Sequence, residues 1–387
     1  MTPAAAQPAV LYLVPGGPPR QAVRAALMAM NVLPREATAD AAGLHQLRDT
    51  LDQQPECLAI IDLQALRRPI HHPLALAGVL DDPASRARVV LARGNGGAVW
   101  DADRAWIRDL GFCGLVPGLD CTSLLGDAAS VLDDVARCTG AGVPAGRKLQ
   151  QYFSAMQVKP EPGTPRGLIR GLTGGSAEGV CAALAQGAPT MDRSHKLTRY
   201  PACFIGSQGV DWLCARYRVT RPQAVSLGQA LQALGMLCHV VHEQAFADAH
   251  LFFRTTWLPQ AGQLQPGAVL QQLRGPSGVV VRDRSYRARS YPACFVGSEA
   301  VDRIQAWAGL PRHACEGVLN RLHGYGLIDH VTHDHPVRDG HFYYRFAEGT
   351  LGAGPWSPAQ AAPQLPITPP SALRITTVDD RGRPPAV

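Results

Sequence analysis

At 387 residues the chain has material for two to three domains, and 46% apolar against 18% charged residues is the balance of a folded chain with buried cores, which excludes wholesale disorder. The formal charge of +6 is uneven: residues 1–140 hold 12 Lys and Arg against 15 Asp and Glu, a net of −3, leaving 25 against 16, a net of +9, for the rest. That excess is well below what a dedicated nucleic-acid binder carries, and it places any acidic partner on the C-terminal part.

The opening Met-Thr-Pro-Ala-Ala-Ala-Gln-Pro lacks the basic flank and apolar core of a signal peptide, and no apolar run reaches the roughly 18 residues of a spanning helix. Ten cysteines stand at 57, 113, 121, 138, 181, 203, 214, 238, 294 and 315, with no CxxC spacing. Neither a zinc ribbon nor a thioredoxin-type pair is present, and mostly apolar-flanked thiols fit a reducing cytoplasm. The richness in Ala, Gly, Pro and Arg has the flavour of a high-GC bacterial protein.

In chain order, residues 9–14 form a compact strand-like run, and 19–31 have helical periodicity with Val23, Ala26, Leu27 and Met30 on one face. A weak strand is read at 33–38, and Asp40 is placed to cap a helix reaching Gln54. Strands follow at 58–63, 89–91 and 113–116, separated by helices near 74–80, over 100–110 and over 123–137. Five strands alternating with five helices predict a doubly wound parallel sheet. The stretch Leu58-Ala59-Ile60-Ile61-Asp62-Leu63 resembles the third strand of a response-regulator receiver, which ends on the phosphoacceptor aspartate. The resemblance makes Asp62 a candidate phosphoacceptor. Phosphoryl chemistry at such a carboxylate also needs acids for Mg²⁺, a hydroxyl and a lysine. The strand ends Val14-Pro15-Gly16-Gly17, Leu91-Ala92-Arg93 and Leu115-Val116-Pro117 offer none of them, which favours a pseudo-receiver scaffold.

Residues 139–147 and 159–167 are Gly- and Pro-rich and flank an amphipathic piece carrying Leu149, Tyr152, Phe153 and Met156. Beyond them the chain repeats itself. At an offset of 91, residues 191–255 align with 282–346 without a gap and with 22 identities over 65 positions. Tyr200-Pro-Ala-Cys-Phe-Ile-Gly-Ser matches Tyr291-Pro-Ala-Cys-Phe-Val-Gly-Ser; the matches continue through Asp211 and Asp302, Gly235 and Gly326, His239 and His330, and Arg254 and Arg345. Each copy reads as a helix, a hairpin arm turning at Asp-Arg-Ser, a helix capped by Ser207 or Ser298, a third helix stopped at Gly235 or Gly326, and a terminal hairpin. That is a winged-helix order. The motif Cys-Phe-hydrophobe-Gly-Ser-x-x-Val-Asp-Trp-Leu, with the later Leu-Gly and His-Val, resembles the DEP domain. The resemblance implies a winged-helix-like signalling module that docks to membranes, receptors or regulators and carries no catalytic residues. The second copy departs at Arg303, where the first has Trp212, and a loosened or exposed core position is expected there.

The basic arms before the repeated motif are the candidate docking surface: Arg193, Lys196 and Arg199 in the first copy, Arg282, Arg284, Arg287 and Arg289 in the second. The bland reading is a solvated basic edge that discourages strand pairing. His239, His242 and His250, with His330, His333, His335 and His341, lack a cysteine or carboxylate partner in a tight motif, so no metal, cofactor or catalytic residue is assigned. For groove reading, the third helices offer Gln223, Gln229 and Gln232, or Asn320, Arg321 and His323.

The expected fold class is α/β plus α+β. A doubly wound receiver-like (flavodoxin-like) domain occupies 1–140, a linker 141–167, winged-helix DEP-like domains 168–257 and 262–347, and a Pro/Gly-rich disordered tail 348–387. The expected function is a non-enzymatic signalling adaptor, cytoplasmic and peripheral at the inner face of the membrane. It docks to a signalling protein or an anionic phospholipid surface, with homodimerisation through the N-terminal domain as an option. The alternative is a winged-helix DNA-binding transcriptional regulator with a receiver-like input.

Overall fold

Buried alternation decides the N-terminal unit. In the computed structural model, which describes residues 9–347 apart from 38–40, 69, 95–98, 120, 159–163, 196–197, 287–288 and 334, the strands Ala9–Leu13 and Leu58–Asp62 are buried along their whole length. The proposed tail lies outside the described residues. The order is β1 (Ala9–Leu13), α1 (Pro18–Ala29), β2 (Leu33–Glu36), α2 (Ala41–Gln53), β3 (Leu58–Asp62), α3 (Pro73–Val79), α4 (Pro83–Arg86), β4 (Val89–Ala92), α5 (Asp101–Asp109), β5 (Gly114–Val116) and α6 (Cys121–Thr139). All five strands are parallel, in the order β2-β1-β3-β4-β5.

Because strand side chains alternate between faces, each strand feeds two cores. Leu11, Leu13, Ala59, Ile61 and Leu91 join Leu47 and Leu51 of α2 and Trp106 and Ile107 of α5. Val10, Tyr12, Ile60, Val90 and Ala92 join Val23 and Leu27 of α1 and Leu132 and Val135 of α6. Continuous apolar runs such as Leu58–Asp62 are thus what a sheet covered on both faces requires. The exposed β2 is an edge strand, which accounts for its weak apolar signal. Within the stretch read as a linker, α7 (Gly146–Ala155) forms on the predicted periodicity, and its Leu149 and Phe153 are buried in the second of these cores. Cys113 and Cys138, 25 residues apart, are joined in a disulfide, and the other eight cysteines are free thiols. The sequence spacing gave no sign of that pair.

A further helix, α8 (Pro165–Thr173), precedes the first repeat. The repeat comprises α9 (Ala177–Gly187), β6 (Met191–His195), β7 (Thr198–Ile205), α10 (Gly206–Tyr217), α11 (Arg221–Ala233), β8 (Leu237–His239) and β9 (Phe252–Thr255). After α12 (Pro259–Gly262) the second repeat follows with α13 (Pro266–Arg274), β10 (Arg282–Tyr286), β11 (Arg289–Val296), α14 (Gly297–Ala308), α15 (Arg312–Gly324), β12 (Ile328–His330) and β13 (Tyr343–Phe346). Both form antiparallel winged-helix sheets, β6-β7-β9-β8 and β10-β11-β13-β12, with the basic arm strand at one edge. Gly235 and Gly326 adopt the left-handed conformation that ends α11 and α15, as expected.

Two details differ from the sequence reading. Ser207 and Ser298 are not helix caps: α10 and α14 already begin at Gly206 and Gly297, with Ile205 and Val296 as N-caps that make no side-chain bond. The open N–H groups are instead taken by wing carbonyls, Gly206 to Leu251 at 2.8 Å and Ser207 to Ala249 at 3.1 Å, and likewise in the second copy. Nor does Asp-Arg-Ser make the arm's turn; it lies within β6 and β10. There the Asp192 and Asp283 carboxylates each accept, at 2.9 Å, the N–H of a left-handed alanine, Ala202 or Ala293, which fixes a bulge opposite.

The first repeat has its own core around Phe204, Val210, Leu227, Phe246 and Phe253. The second does not: Phe295, Val301, Leu319, Leu322 and Tyr325 are continuous with the α5 face of the N-terminal unit.

Candidate docking surface

The two arms present the predicted basic residues unequally. Arg199 is 75% exposed at its side chain, and Arg282 and Arg289 are exposed. Lys196 and Arg287 lie outside the described residues. Arg193 and Arg284 turn inward. Arg193 donates to Gln208 at 3.0 Å, and Arg284, with 8% of its side chain exposed, pairs with Glu299 at 3.2 Å and lies over the Tyr343 ring. Both tie the arm to the helix behind it, so among the described residues the basic surface that remains is Arg199, Arg282 and Arg289. Apolar side chains accompany them: Met191 is 52% exposed, Val280 58%, Val281 46% and Tyr286 54%. Arg199 also pairs with Asp192 at 2.6 Å, so the second arm presents the stronger field.

Aromatic and charged side chains join the N-terminal unit to the repeats. Trp100 of the N-terminal unit stacks on Trp257, at an interplanar angle of 15°, just after the first repeat. Trp106 meets Tyr325 edge-on, with centroids 5.5 Å apart, and the Arg93 guanidinium lies 4.4 Å from the same Tyr325 ring. Beneath them Arg321 Nε is 3.1 Å from Asp103 Oδ1, with side-chain exposures of 6% and 0%. The cavity here measures about 100 Å³, smaller than pockets that hold a drug-sized ligand.

These contacts weigh against groove reading. Arg321 is buried and donates to the Ala261 carbonyl at 3.0 Å, and Asn320 is bonded to Val337 in both directions. In the first repeat Gln229 donates to the Phe246 carbonyl, while Gln232 bonds Gln244 and the Phe246 N–H. Arg303 is also accounted for: it donates to the Gln272 carbonyl at 3.2 Å and to its side chain, replacing the packing of Trp212 on Gly187 by hydrogen bonds rather than loosening the core.

Asp62 sits at the end of β3, 5% exposed, accepting the Gln64 N–H at 2.9 Å. Burial pushes its carboxyl up to about 6, and the Gln64 bond opposes only part of that. Between about pH 4 and 6 the native state therefore holds a proton that the unfolded chain has released, so stability falls as pH rises through that window. The displacement corresponds to roughly 3 kcal/mol. Asp62→Asn, which keeps the acceptor for Gln64, should be up to about 3 kcal/mol more stable than the parent at pH 7.5 and about equal at pH 4. Urea unfolding at both pH values checks this; a gain that is the same at both would contradict it.

The histidines, to which no metal partner was assigned from sequence, do not all stand alone. Cys238 and Glu316 lie beside His242, the latter arriving from the other repeat. No local motif could reveal a carboxylate 74 residues away.

A family profile described as "Domain found in Dishevelled, Egl-10, and Pleckstrin (DEP)" matches residues 187–255 and 278–346. The chain is 29% identical over 178 residues to the human phosphatidylinositol 3,4,5-trisphosphate-dependent Rac exchanger 2 protein, a match covering 42% of this chain and 11% of that protein. It is 32% identical over 130 residues to the vacuolar membrane-associated protein iml1 of Schizosaccharomyces pombe, covering 33% of this chain and 8% of that protein. The chain thus spans only about a tenth of the curated relatives it matches. These relatives are eukaryotic, against the bacterial flavour of the composition.

Proposed function

We propose that the two DEP domains this chain carries in tandem serve a signalling adaptor, docking it to an anionic membrane surface through Arg199, Arg282 and Arg289. The observation that carries the reading is the pair of edge hairpins that carry exposed arginines together with exposed Met191 and Tyr286, with exposed Val280 and Val281 leading into the second. Cations near headgroups and apolar side chains at the interface reinforce one another. The relatives' names point the same way, one to a phosphoinositide and the other to a vacuolar membrane. No described helix is long and apolar enough to cross a membrane. The exchange activity recorded in the first name is no part of the proposal, since the match covers 11% of that protein.

The N-terminal unit is assigned a scaffold role. Its 2-1-3-4-5 strand order is that of flavodoxin-like sheets and suits the receiver-like reading. Its α5 face is covered by the second DEP domain, so a homodimer through this unit would use another face.

Co-sedimentation of the full chain with neutral vesicles, with phosphatidylserine vesicles and with vesicles containing phosphatidylinositol 3,4,5-trisphosphate tests the docking. Binding should need anionic lipid and weaken with salt. Replacing Arg199, Arg282 and Arg289 together by Glu should lower affinity by roughly two orders of magnitude, at about 1 kcal/mol for each basic residue lost. Equal binding to neutral vesicles, or an unaffected triple variant, would overturn the assignment. A DNA shift run beside it addresses the regulator reading, against which the committed side chains of α11 and α15 already weigh.

A further inference from the structure

We propose that Cys238, His242 and Glu316 form a zinc-type metal site that fastens the first DEP domain to the second. One donor atom from each, a sulfur, a ring nitrogen and a carboxylate oxygen, lies within 4.8 Å of the other two. Cys238 belongs to β8. His242 follows in a left-handed turn, φ 60°, held by its N–H to the His239 carbonyl at 2.9 Å. Glu316 enters from α15, 1% exposed.

The Glu316 carboxylate is half used. Oε2 accepts the Asp339 N–H at 3.1 Å, while Oε1 points at His242 Nε2, 2.8 Å away, without the alignment of a hydrogen bond on either side. A buried carboxylate facing a ring nitrogen in that way leaves two donor atoms converging on one point. Thiolate, imidazole and carboxylate together are a zinc or cobalt donor set and a poor one for calcium or magnesium. Three protein ligands leave a fourth position for water. Binding would release the Cys238 thiol proton, and Arg254, which lies against Cys238, would remain as a donor to the thiolate.

The second repeat supplies an independent indication. The positions equivalent to Cys238 and His242 are Asp329 and His333, and there a cation already bridges the two: the Arg68 guanidinium bonds Asp329 and lies 3.2 Å from His333 Nδ1. The same place in the fold is thus a cation seat in the second copy, filled by an arginine of the N-terminal unit. In the first copy the position opposite is taken by Glu316, and the seat becomes one for a metal ion.

The test is a titration of the metal-free full chain with Co²⁺, then displacement by Zn²⁺. One equivalent should bind with a thiolate-to-cobalt charge-transfer band in the near ultraviolet and visible bands of tetrahedral cobalt. Cys238→Ala should abolish the charge-transfer band, and Glu316→Gln should weaken binding at least about tenfold. Zn²⁺, and not Mg²⁺, should raise the melting temperature of the parent. No stoichiometric binding by the parent, or a charge-transfer band that survives in a folded Cys238→Ala variant, would overturn the site.

Discussion

Arg321→Ala is expected to destabilise the chain by about 3–5 kcal/mol, the range for removing one partner of a buried ion pair. Asp103 is wholly buried: its Oδ2 accepts the Trp100 N–H at 3.0 Å, its Oδ1 faces Arg321, and Arg93 stands 3.8 Å off. Without Arg321 the carboxylate loses its one close cationic partner and is left with the Trp100 N–H, the neighbouring Tyr325 hydroxyl and a guanidinium 3.8 Å away. The carbonyls of Ala261 and Leu264, which orient α12 and the entry to α13, lose their donor as well. Asp103→Ala should cost a similar amount, since it leaves the buried Arg321 guanidinium without its close counter-charge. Replacing both partners by apolar side chains of similar volume should cost far less than either single change. Urea unfolding of the four proteins measures the coupling. Single variants within about 1 kcal/mol of the parent would mean that the N-terminal unit and second DEP domain are not energetically joined at this seam.

That seam also marks the limit of what could be read from the sequence. Strands such as Leu58–Asp62 were legible because a parallel strand covered on both faces prints its burial as a continuous apolar run, and α7 with Leu149 and Phe153 because an amphipathic helix prints its burial as a period. The two DEP copies were legible because their special residues recur at one offset. Arg321 read as a groove-facing side chain because its partner Asp103 lies 218 residues away, and no period reports a contact between domains. The basic arms failed in a subtler way. Arg193 and Arg199 lie on one hairpin and look equivalent in a charge count, yet the first turns back to Gln208 and the second faces solvent. Sequence supplied the charge; the bulge at Ala202, anchored by Asp192, belongs to the geometry that sorts one arginine from the other.

Gly206→Ala and Gly297→Ala should each cost about 3 kcal/mol, near the upper end for overpacking, although one methyl group is all that is added. A Cβ at Gly206 would stand 2.3 Å from the Ala247 carbonyl oxygen, and at Gly297 2.4 Å from that of Arg338. Both obstacles are backbone, so no rotamer change relieves them. The wing must move, and in moving it withdraws the carbonyls of Leu251 and Ala249, or of Phe342 and Gly340, from the first N–H groups of α10 or α14. The helix loses its cap as the core loses its fit. The consequences differ between copies. In the first, Phe253 and Phe246 belong to a self-contained core, so Gly206→Ala should loosen the wing near Cys238 and His242 and leave the N-terminal unit protected from hydrogen exchange. In the second, Tyr344 and Phe295 share one core with Trp106, so Gly297→Ala should lower protection in α5 as well. Hydrogen exchange followed by mass spectrometry separates the two. Equal and purely local effects would show that the shared core does not carry strain from wing to scaffold.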